Sequence, residues 1–225
     1  PGAGATFAAA GMIAATAEMA AAPAAEAAFA RQAGMLWPGF AAALESASGV
    51  AVGYRRNGAL IVETTRPPVL PPGTSWLEGA GARARAPMLA PAAAALWAPD
   101  EAQVDSRALG RALAIAFARA GGALVADTEV ITLDGGAVVT AAGRREADAV
   151  ILAAGAWSGL LDSGVPVTPV KGQMIALAPP PGAALPEPVI WGNGVYLVPR
   201  DTAEAQPRLL IGATVEEAGF DTSLT

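Results

Sequence analysis

Histidine and cysteine are both absent from this 225-residue sequence, and their absence excludes more chemistry than any other feature of the composition. Without them the chain cannot form a Ser-His-Asp or Cys-His nucleophile, a thiol redox centre, or a zinc or haem site that uses these ligands. No disulfide can form, so an oxidising compartment is not required, and we expect the protein in the cytoplasm.

Basic residues are also scarce. Lys171 is the single lysine beside thirteen arginines, and the net charge is −6 at pH 7. This balance argues against nucleic acid as a partner, because such proteins need a basic face. The apolar stretch of residues 7–30 contains Glu18, Pro23 and Glu26, which argues against a membrane span.

Hydrophobic residues make up 53% of the chain, which is ample for a packed core and fits one or two domains. The chain opens at Pro1 directly into a glycine and alanine tract and ends in polar loop residues, so we expect it to be the interior of a longer protein. Residues 2–7 superficially suggest a dinucleotide-binding fingerprint. No strand precedes them and Phe7 occupies the place of the third glycine, so they are not that motif.

Residue patterns predict several helices and strands. Helices are predicted over 24–36 and 40–47, separated by Trp37-Pro38-Gly39, and from a cap at Asp105 or Ser106 to the glycines at 121–122. The alternating residues 50–54 and the apolar residues 60–62 flank Asn57-Gly58, a pair favoured in hairpin turns. Further strands are predicted over 123–126, 129–133, 137–140, 170–177, 189–190, 195–198 and 209–212.

Residues 149–153 are uniformly apolar, which is typical of a strand covered on both faces in a parallel sheet. Gly155 follows directly, where ligands bind in open α/β sheets, although a glycine there can also be a simple turn. The small residues 8–12 allow a flat or anionic ligand to approach the backbone, or allow tight packing of an alanine-rich segment.

Three polar residues, Tyr196, Arg200 and Lys171, have two interpretations each, and a pair of glutamates has one. The Tyr196 hydroxyl can donate to a substrate carboxylate or be satisfied in the core, and Arg200 can bind an anion or form a structural ion pair. Lys171, before Gly172-Gln173, can be functional or mark a bend into the next strand. Glu216 and Glu217 are adjacent strand residues that face opposite ways, which disfavours a shared acid–base site.

Taken in order, these segments resemble the D-amino-acid-oxidase-like FAD-dependent oxidoreductases, and within them the glycine oxidase branch of bacterial thiamine thiazole synthesis. The resemblance rests on residues 8–12 with Glu18, 49–50 with 55–58, 103–105, 153–158, 169–173, 196–200 and 212–221.

The resemblance implies a mixed α/β fold in which both domains are discontinuous and incomplete. A Rossmann-like FAD-binding domain takes residues 1–48 and 100–165, and a substrate domain with a large, mostly antiparallel sheet takes 49–99 and 166–225. Tyr196 holds the substrate carboxylate. The implied cofactor-binding residues are Ala5, Thr6, Ala10, Gly11, Met12, Val130 and Gly155.

The resemblance also implies the reaction, which is oxidative deamination of glycine or another small amine by hydride transfer to FAD, with reoxidation by O2 to hydrogen peroxide. No metal and no protein acid–base pair is needed, because the flavin carries the chemistry. The partners are then a small amino acid and O2, and the subunit can form a homo-oligomer. The first strand, the glycine-rich turn and the C-terminal substrate arginine of the family have no counterpart here, so we expect this stretch alone to be inactive.

Two alternatives stay open. One keeps the fold and makes the protein a dehydrogenase or oxidase of another secondary amine, such as sarcosine or proline. The other is a non-catalytic, truncated copy that acts as a structural or interaction module.

Overall fold

A computed structural model describes residues 4–19, 22–202 and 205–225, so Gly2 and Ala3 of the glycine tract lie outside the described residues. The helices are α1 (Ala5–Ala8), α2 (Ala15–Glu18), α3 (Ala24–Ser48), α4 (Ala80–Arg85), α5 (Ser106–Arg119) and α6 (Ser158–Leu161). The strands are β1 (Met12–Ile13), β2 (Ala59–Glu63), β3 (Ser75–Glu78), β4 (Ala94–Ala98), β5 (Ala102–Gln103), β6 (Val130–Asp134), β7 (Ala137–Thr140), β8 (Gly143–Glu146), β9 (Ile175–Leu177), β10 (Val189–Gly192), β11 (Val195–Thr202) and β12 (Ala205–Gly212).

The chain divides into two compact units. The first comprises Pro1–Gly122 with Met174–Ala213, and the second comprises Ala123–Gln173 with Thr214–Thr225. The domain boundaries expected from the sequence, at 48, 99 and 165, stay a prediction. Within the described residues, no helix is both long and apolar enough to cross a membrane.

A seven-stranded sheet in the order β3-β4-β2-β10-β11-β12-β9 forms the centre of the first unit. Every neighbouring pair is antiparallel except β2 with β10, which is parallel. The mixed α/β class with a large, mostly antiparallel sheet is therefore confirmed.

The two faces of this sheet have separate cores, because side chains alternate along each strand. On one face Leu60, Ala95 and Ile190 pack against Ala82 and Ala86, which belong to or follow helix α4. On the other face, called the site face below, the buried residues include Ala59, Val189 and Val198, which pack against Ala10.

Helix α3 continues without a break through Pro38, so the predicted interruption at residues 37–39 is wrong. A proline inside a helix costs about 3 kcal/mol, because it removes a hydrogen bond and its ring crowds the preceding turn. The burial of Ala41 and Leu44 against Ala112 of α5 offsets this cost. The helix ends at Gly49 in the left-handed conformation, as the sequence indicated.

The predicted hairpin around Asn57-Gly58 is also wrong. Residues 50–54 form no strand, and β2 pairs with β4 and β10 instead. Gly58 has φ +72°, and a Cβ atom there would lie 2.1 Å from Trp97. The glycine is therefore required by close contact with an aromatic ring rather than by a hairpin turn.

The second unit contains the three-stranded antiparallel sheet β6-β7-β8. Gly135 and Gly136, at φ +54° and +90°, connect β6 to β7 as predicted. Residues 123–126 and 149–153 form no strands, so both of those predictions are wrong. Ile151 is 89% exposed. A parallel strand requires hydrogen-bonding neighbours, and no strand among the described residues pairs with this segment.

Candidate functional site

The small-residue segment Ala9–Gly11 crosses the site face with its carbonyl groups fully engaged. The Ser106 hydroxyl donates to the Ala9 carbonyl at 2.7 Å, and the Val104 N–H donates to the Gly11 carbonyl at 2.8 Å. The Ala10 carbonyl accepts from the Arg200 guanidinium. With its acceptors held by protein, the segment presents no side chain larger than a methyl group.

Gly11 satisfies a backbone constraint that no other residue meets without strain. Its φ is +76°, and a Cβ atom would lie 2.0 Å from the Val104 carbonyl oxygen. The glycine allows the Ala9–Gly11 segment to lie directly against the chain at Val104, just before α5. This close approach accounts for Gly11 through packing within the protein.

Tyr196 lies on the site face of β11, opposite Gly212 of β12. A Cβ atom at residue 212 would lie 2.5 Å from the phenol, so the glycine leaves the space in which the ring lies. The ring stacks on Trp191 with centroids 5.5 Å apart, and its hydroxyl donates to the Met174 sulfur at 3.0 Å. A thioether is a weak acceptor, so this hydroxyl can transfer its hydrogen bond to a carboxylate oxygen.

Glu18, at the end of the short helix α2, contributes the charge of this region. Partial desolvation raises the pKa of its carboxyl, although the residue is exposed at the surface. Burial raises the pKa of the Tyr196 hydroxyl, and the negative charge of Glu18 raises it further. The Tyr196 hydroxyl therefore remains a neutral hydrogen-bond donor even at pH values near the ordinary tyrosine pKa.

Arg200 lies on the same face of β11 as Tyr196, and its side chain is directed into the protein. Its guanidinium donates to the Val104 carbonyl at 2.9 Å and lies 3.5 Å from an Asp105 carboxylate oxygen. The residue is only 8% exposed. Of the two interpretations of Arg200, the structure supports the structural ion pair.

The structure brings most of the predicted cofactor residues together in the first unit. Ala5 and Thr6 are exposed in α1, Ala10 and Gly11 follow that helix, and Met12 begins β1. Met12 and Tyr196 each pack against the core that contains Ala10. The roles of these residues toward a cofactor stay a prediction.

The other two predicted cofactor residues, Val130 and Gly155, belong to the second unit. Val130 begins β6 opposite Thr140. Gly155 starts a short 3-10 helix at φ +56°, and there is open space where its Cβ atom would lie. Gly155 is thus placed at a turn into a helix as expected, but residues 149–153 before it form no strand.

The polar residues of the second unit form a network between residues 171–173 and 214–225. The Lys171 ammonium lies 3.3 Å from Asp221 and 3.9 Å from Glu216, and the Gln173 amide donates to Glu216 at 2.7 Å. Hydrogen bonds from Thr214 and Gln173 lower the pKa of the Glu216 carboxyl. Lys171 and Gln173 therefore join two chain segments.

Among the described residues, no group of three or more His, Cys, Asp or Glu could hold a metal.

Comparison with known proteins shows the family of the chain. The model of the DAO family, described as FAD dependent oxidoreductase, matches residues 1–225. The chain belongs to this family. The chain is 33% identical to a glycine oxidase of Geobacillus kaustophilus, over 98% of this chain and 63% of that relative.

The solved structures and shorter matches point the same way. The crystal structure of glycine oxidase from Geobacillus kaustophilus matches with a TM-score of 0.86 and 31% identity, covering 100% of this chain and 65% of that one. A bifunctional protein ThiO/ThiG of Synechocystis is 39% identical over 55% of this chain and 19% of its own length. The chain thus spans somewhat less than two thirds of the length of the glycine oxidase that it matches.

The residues of the first unit fit the ring end of the family's cofactor, FAD. A flat aromatic ring needs a surface without bulky side chains. In the Ala9–Gly11 segment Ala10 is buried, and the exposed Ala9 and half-buried Gly11 provide such a surface, with carbonyls that are already bonded. The described residues contain no strand, glycine-rich turn and helix of the kind that binds a dinucleotide pyrophosphate. The fit therefore concerns the ring and not the pyrophosphate.

Sequence reasoning missed the residues that surround the Tyr196 hydroxyl. Trp191 lies in β10 and Met174 directly precedes β9, and neither residue belongs to a local motif. Gly212 was part of a motif that supported the resemblance, yet its contact with Tyr196 depends on the register of two antiparallel strands. No signal in the separate segments identifies that register.

Proposed function

We propose that this protein is an FAD-dependent oxidase of glycine or another small amino acid that produces hydrogen peroxide, and that it acts in the cytoplasm in thiamine thiazole synthesis. The match to a glycine oxidase over 98% of the chain supports the substrate class. The match to a protein named ThiO/ThiG supports the pathway. The lack of cysteine fits a reducing compartment.

The observation that carries the proposal is the position of the Tyr196 hydroxyl. It lies on the same sheet face as Ala10, within a cluster that also contains Met12, and its acceptor is only the Met174 sulfur. We assign Tyr196 the role of donating to the substrate carboxylate. The stacked Trp191 ring limits the space beside this hydroxyl, which favours a small substrate.

The proposed cofactor residues are those expected from the resemblance: Ala5, Thr6, Ala10, Gly11, Met12, Val130 and Gly155. FAD, when bound, supplies the acceptor for the hydride of the substrate. The chain's own residues bind the cofactor and orient the substrate. Ala10 and Gly11 offer a surface of small groups, and Tyr196 fixes one end of the substrate.

Replacing Tyr196 with phenylalanine tests this assignment in the FAD-loaded protein. The change removes one hydrogen bond to a charged group, worth about 1.5–3 kcal/mol, so the KM for glycine is expected to rise roughly 10- to 100-fold with a smaller fall in kcat. The matched control is Tyr54→Phe. Tyr54 is the only other tyrosine and stacks on Trp37. A large loss of kcat with unchanged KM would contradict the role of Tyr196.

Three further measurements separate the alternatives. One hydrogen peroxide per turnover is expected of an oxidase, whereas a dehydrogenase would yield little peroxide and need another electron acceptor. A screen with glycine, sarcosine and proline identifies the amine. A purified protein without flavin absorbance and without turnover would favour the non-catalytic module.

A further inference from the structure

Strand β11 carries three consecutive residues of its site face, Tyr196, Val198 and Arg200, because alternate side chains point the same way. Val198 is fully buried and packs in the same core as Ala10. Tyr196 lies toward one end of the strand and Arg200 toward the other. One strand therefore carries the proposed substrate residue and also a direct bond to the proposed cofactor segment.

The contacts of Arg200 cross long distances in sequence. Its guanidinium donates to the carbonyl of Ala10, 190 residues earlier, and to that of Val104, 96 residues earlier. Val104 in turn donates its N–H to the Gly11 carbonyl. The planar guanidinium thus contacts two chain segments that are already hydrogen-bonded to each other, and its two-pronged geometry is one that the point charge of a lysine does not reproduce.

Burying this cation is costly, which indicates that it does more than fill space. Desolvation lowers the pKa of the Arg200 guanidinium, and the Asp105 carboxylate only partly opposes this effect. The Nε atom is buried, and among the described residues it has no hydrogen-bond partner. A hydrophobic residue of similar volume is often as stable or more stable than a buried ion pair at such a position.

We propose that Arg200 is a positioning residue, which sets the place of the flavin-contacting segment Ala10–Gly11 relative to Tyr196. This inference rests on the proposed function of Tyr196 and of the segment. Arg200 itself touches neither substrate nor cofactor in this proposal. Its side chain acts through the two carbonyl groups that it holds and through β11.

The test compares Arg200→Lys and Arg200→Met with the matched control Arg208→Lys in the FAD-loaded protein. Arg208 is the cross-strand neighbour of Arg200 on β12 and is exposed. Loss of the two-pronged contact is expected to raise the Kd for FAD about tenfold in Arg200→Lys, equivalent to about 1.4 kcal/mol. Arg208→Lys is expected to leave the Kd within about twofold, as a surface change.

Two readouts separate positioning from general stability. Acetate, which has the carboxylate of glycine without its amine, is expected to perturb the flavin spectrum of the wild type at lower concentration than that of Arg200→Lys. The KM effects of Arg200→Lys and Tyr196→Phe are expected to be non-additive, so the lysine change costs less when Tyr196 is already phenylalanine. Residues four apart on a strand do not touch, and changes at such independent sites would otherwise add.

Several results would overturn the proposal. An unchanged FAD Kd and acetate response in Arg200→Lys would do so, as would strictly additive KM effects in the double variant. If Arg200→Met does not fold, Arg200→Lys still decides the question, because it keeps the charge. A wild type that binds FAD but oxidises no small amine would refute the proposed function alone. The FAD Kd of the Arg200 variants would still test the positioning role of Arg200.

Discussion

Glycines at two positions shape the candidate site for different physical reasons. At Gly11 the backbone has a left-handed φ and lies against the Val104 carbonyl. At Gly212 the missing side chain leaves the space for the Tyr196 ring across the strand pair. In both cases the residue that requires the glycine is far away in sequence.

Substituting Gly11 with alanine tests the first of these constraints. The new Cβ atom would have to displace a backbone carbonyl at 2.0 Å, so the free energy of unfolding is expected to fall by about 3 kcal/mol or more. Gly194→Ala is the matched control, because its φ is +73° and nothing lies within 4 Å of its Cβ position. There the expected loss is about 1 kcal/mol, from backbone strain alone. Equal losses in urea denaturation would contradict the contact with Val104.

Glu101 is a buried carboxylate whose titration affects stability. One of its oxygens accepts from the Thr16 N–H at 2.7 Å, and the other is buried without a partner among the described residues. Burial raises the pKa of Glu101 above 4.5, the Thr16 hydrogen bond opposes this, and the charges of Glu18 and Asp100 add to the rise.

The Glu101→Gln variant tests the raised pKa of this carboxyl through the pH dependence of the unfolding free energy. As pH rises above 4.5 the unfolded wild type releases its proton before the folded protein does, so the folded state loses stability until the raised pKa is passed. Glutamine does not titrate. The unfolding free energy of the variant minus that of the wild type is therefore expected to increase as pH rises from about 4.5 through the raised folded pKa, by about 1.4 kcal/mol for each pH unit that separates the folded pKa from the unfolded pKa. Parallel curves over this range would refute the buried charge.

At the scale of elements, one dipeptide occurs twice with different outcomes. Asn193-Gly194 connects β10 to β11, with φ +53° and +73°, and Gly192 pairs with Val195 across the turn. Asn57-Gly58 connects no hairpin, because the strand after it pairs with β4 and β10. A favoured turn sequence permits a hairpin, and the neighbouring strands determine whether one forms.

Helix α5 begins where the sequence predicted, and the structure selects Asp105 as its cap. The Asp105 carboxylate accepts from the Arg107 N–H at 2.9 Å and the Ala108 N–H at 3.1 Å. Its charge also lies beside Arg200. The same side chain therefore stabilises a helix start and a buried cation.

Two substitutions at Asp105 separate these roles. Asp105→Ala removes both and is expected to lower the free energy of unfolding by about 1–2 kcal/mol or somewhat more. Asp105→Asn retains an acceptor for the helix N–H groups, and is expected to lose less than the alanine variant. Thermal or urea denaturation measures both. If both variants lose the same free energy of unfolding, the interaction of the Asp105 charge with Arg200 contributes more to stability than the helix cap does.

At the scale of the whole molecule, burial differs between segments with similar composition. Val198 is fully buried in the large sheet of the first unit, whereas Ile151, in an apolar run of the second unit, is 89% exposed. The sequence predicted a strand covered on both faces for residues 149–153, and for Val198 only a strand over 195–198. The difference arises because Val198 has strands on both sides and residues 149–153 pair with no described strand.

Alanine substitutions in the 225-residue chain test this contrast. Ile151→Ala is expected to change the free energy of unfolding by less than about 0.5 kcal/mol, as for other exposed positions. Val198→Ala is expected to cost about 1.5–3 kcal/mol, because it removes buried methyl groups. A loss above about 2 kcal/mol for Ile151→Ala would indicate that residue 151 is buried, as in the strand that the sequence predicted.

The sequence by itself determined what depends on local order: the start of α5 at Asp105 or Ser106, the strands predicted over 129–133, 137–140, 189–190, 195–198 and 209–212, and the ordered motifs that place the chain in its family. Only the tertiary structure decided that α3 passes through Pro38, that Asn57-Gly58 is no hairpin, and that Arg200 holds Ala10 and Val104. Those outcomes depend on contacts between residues up to 190 positions apart, and the free energy of such contacts outweighs local preference without leaving a local pattern.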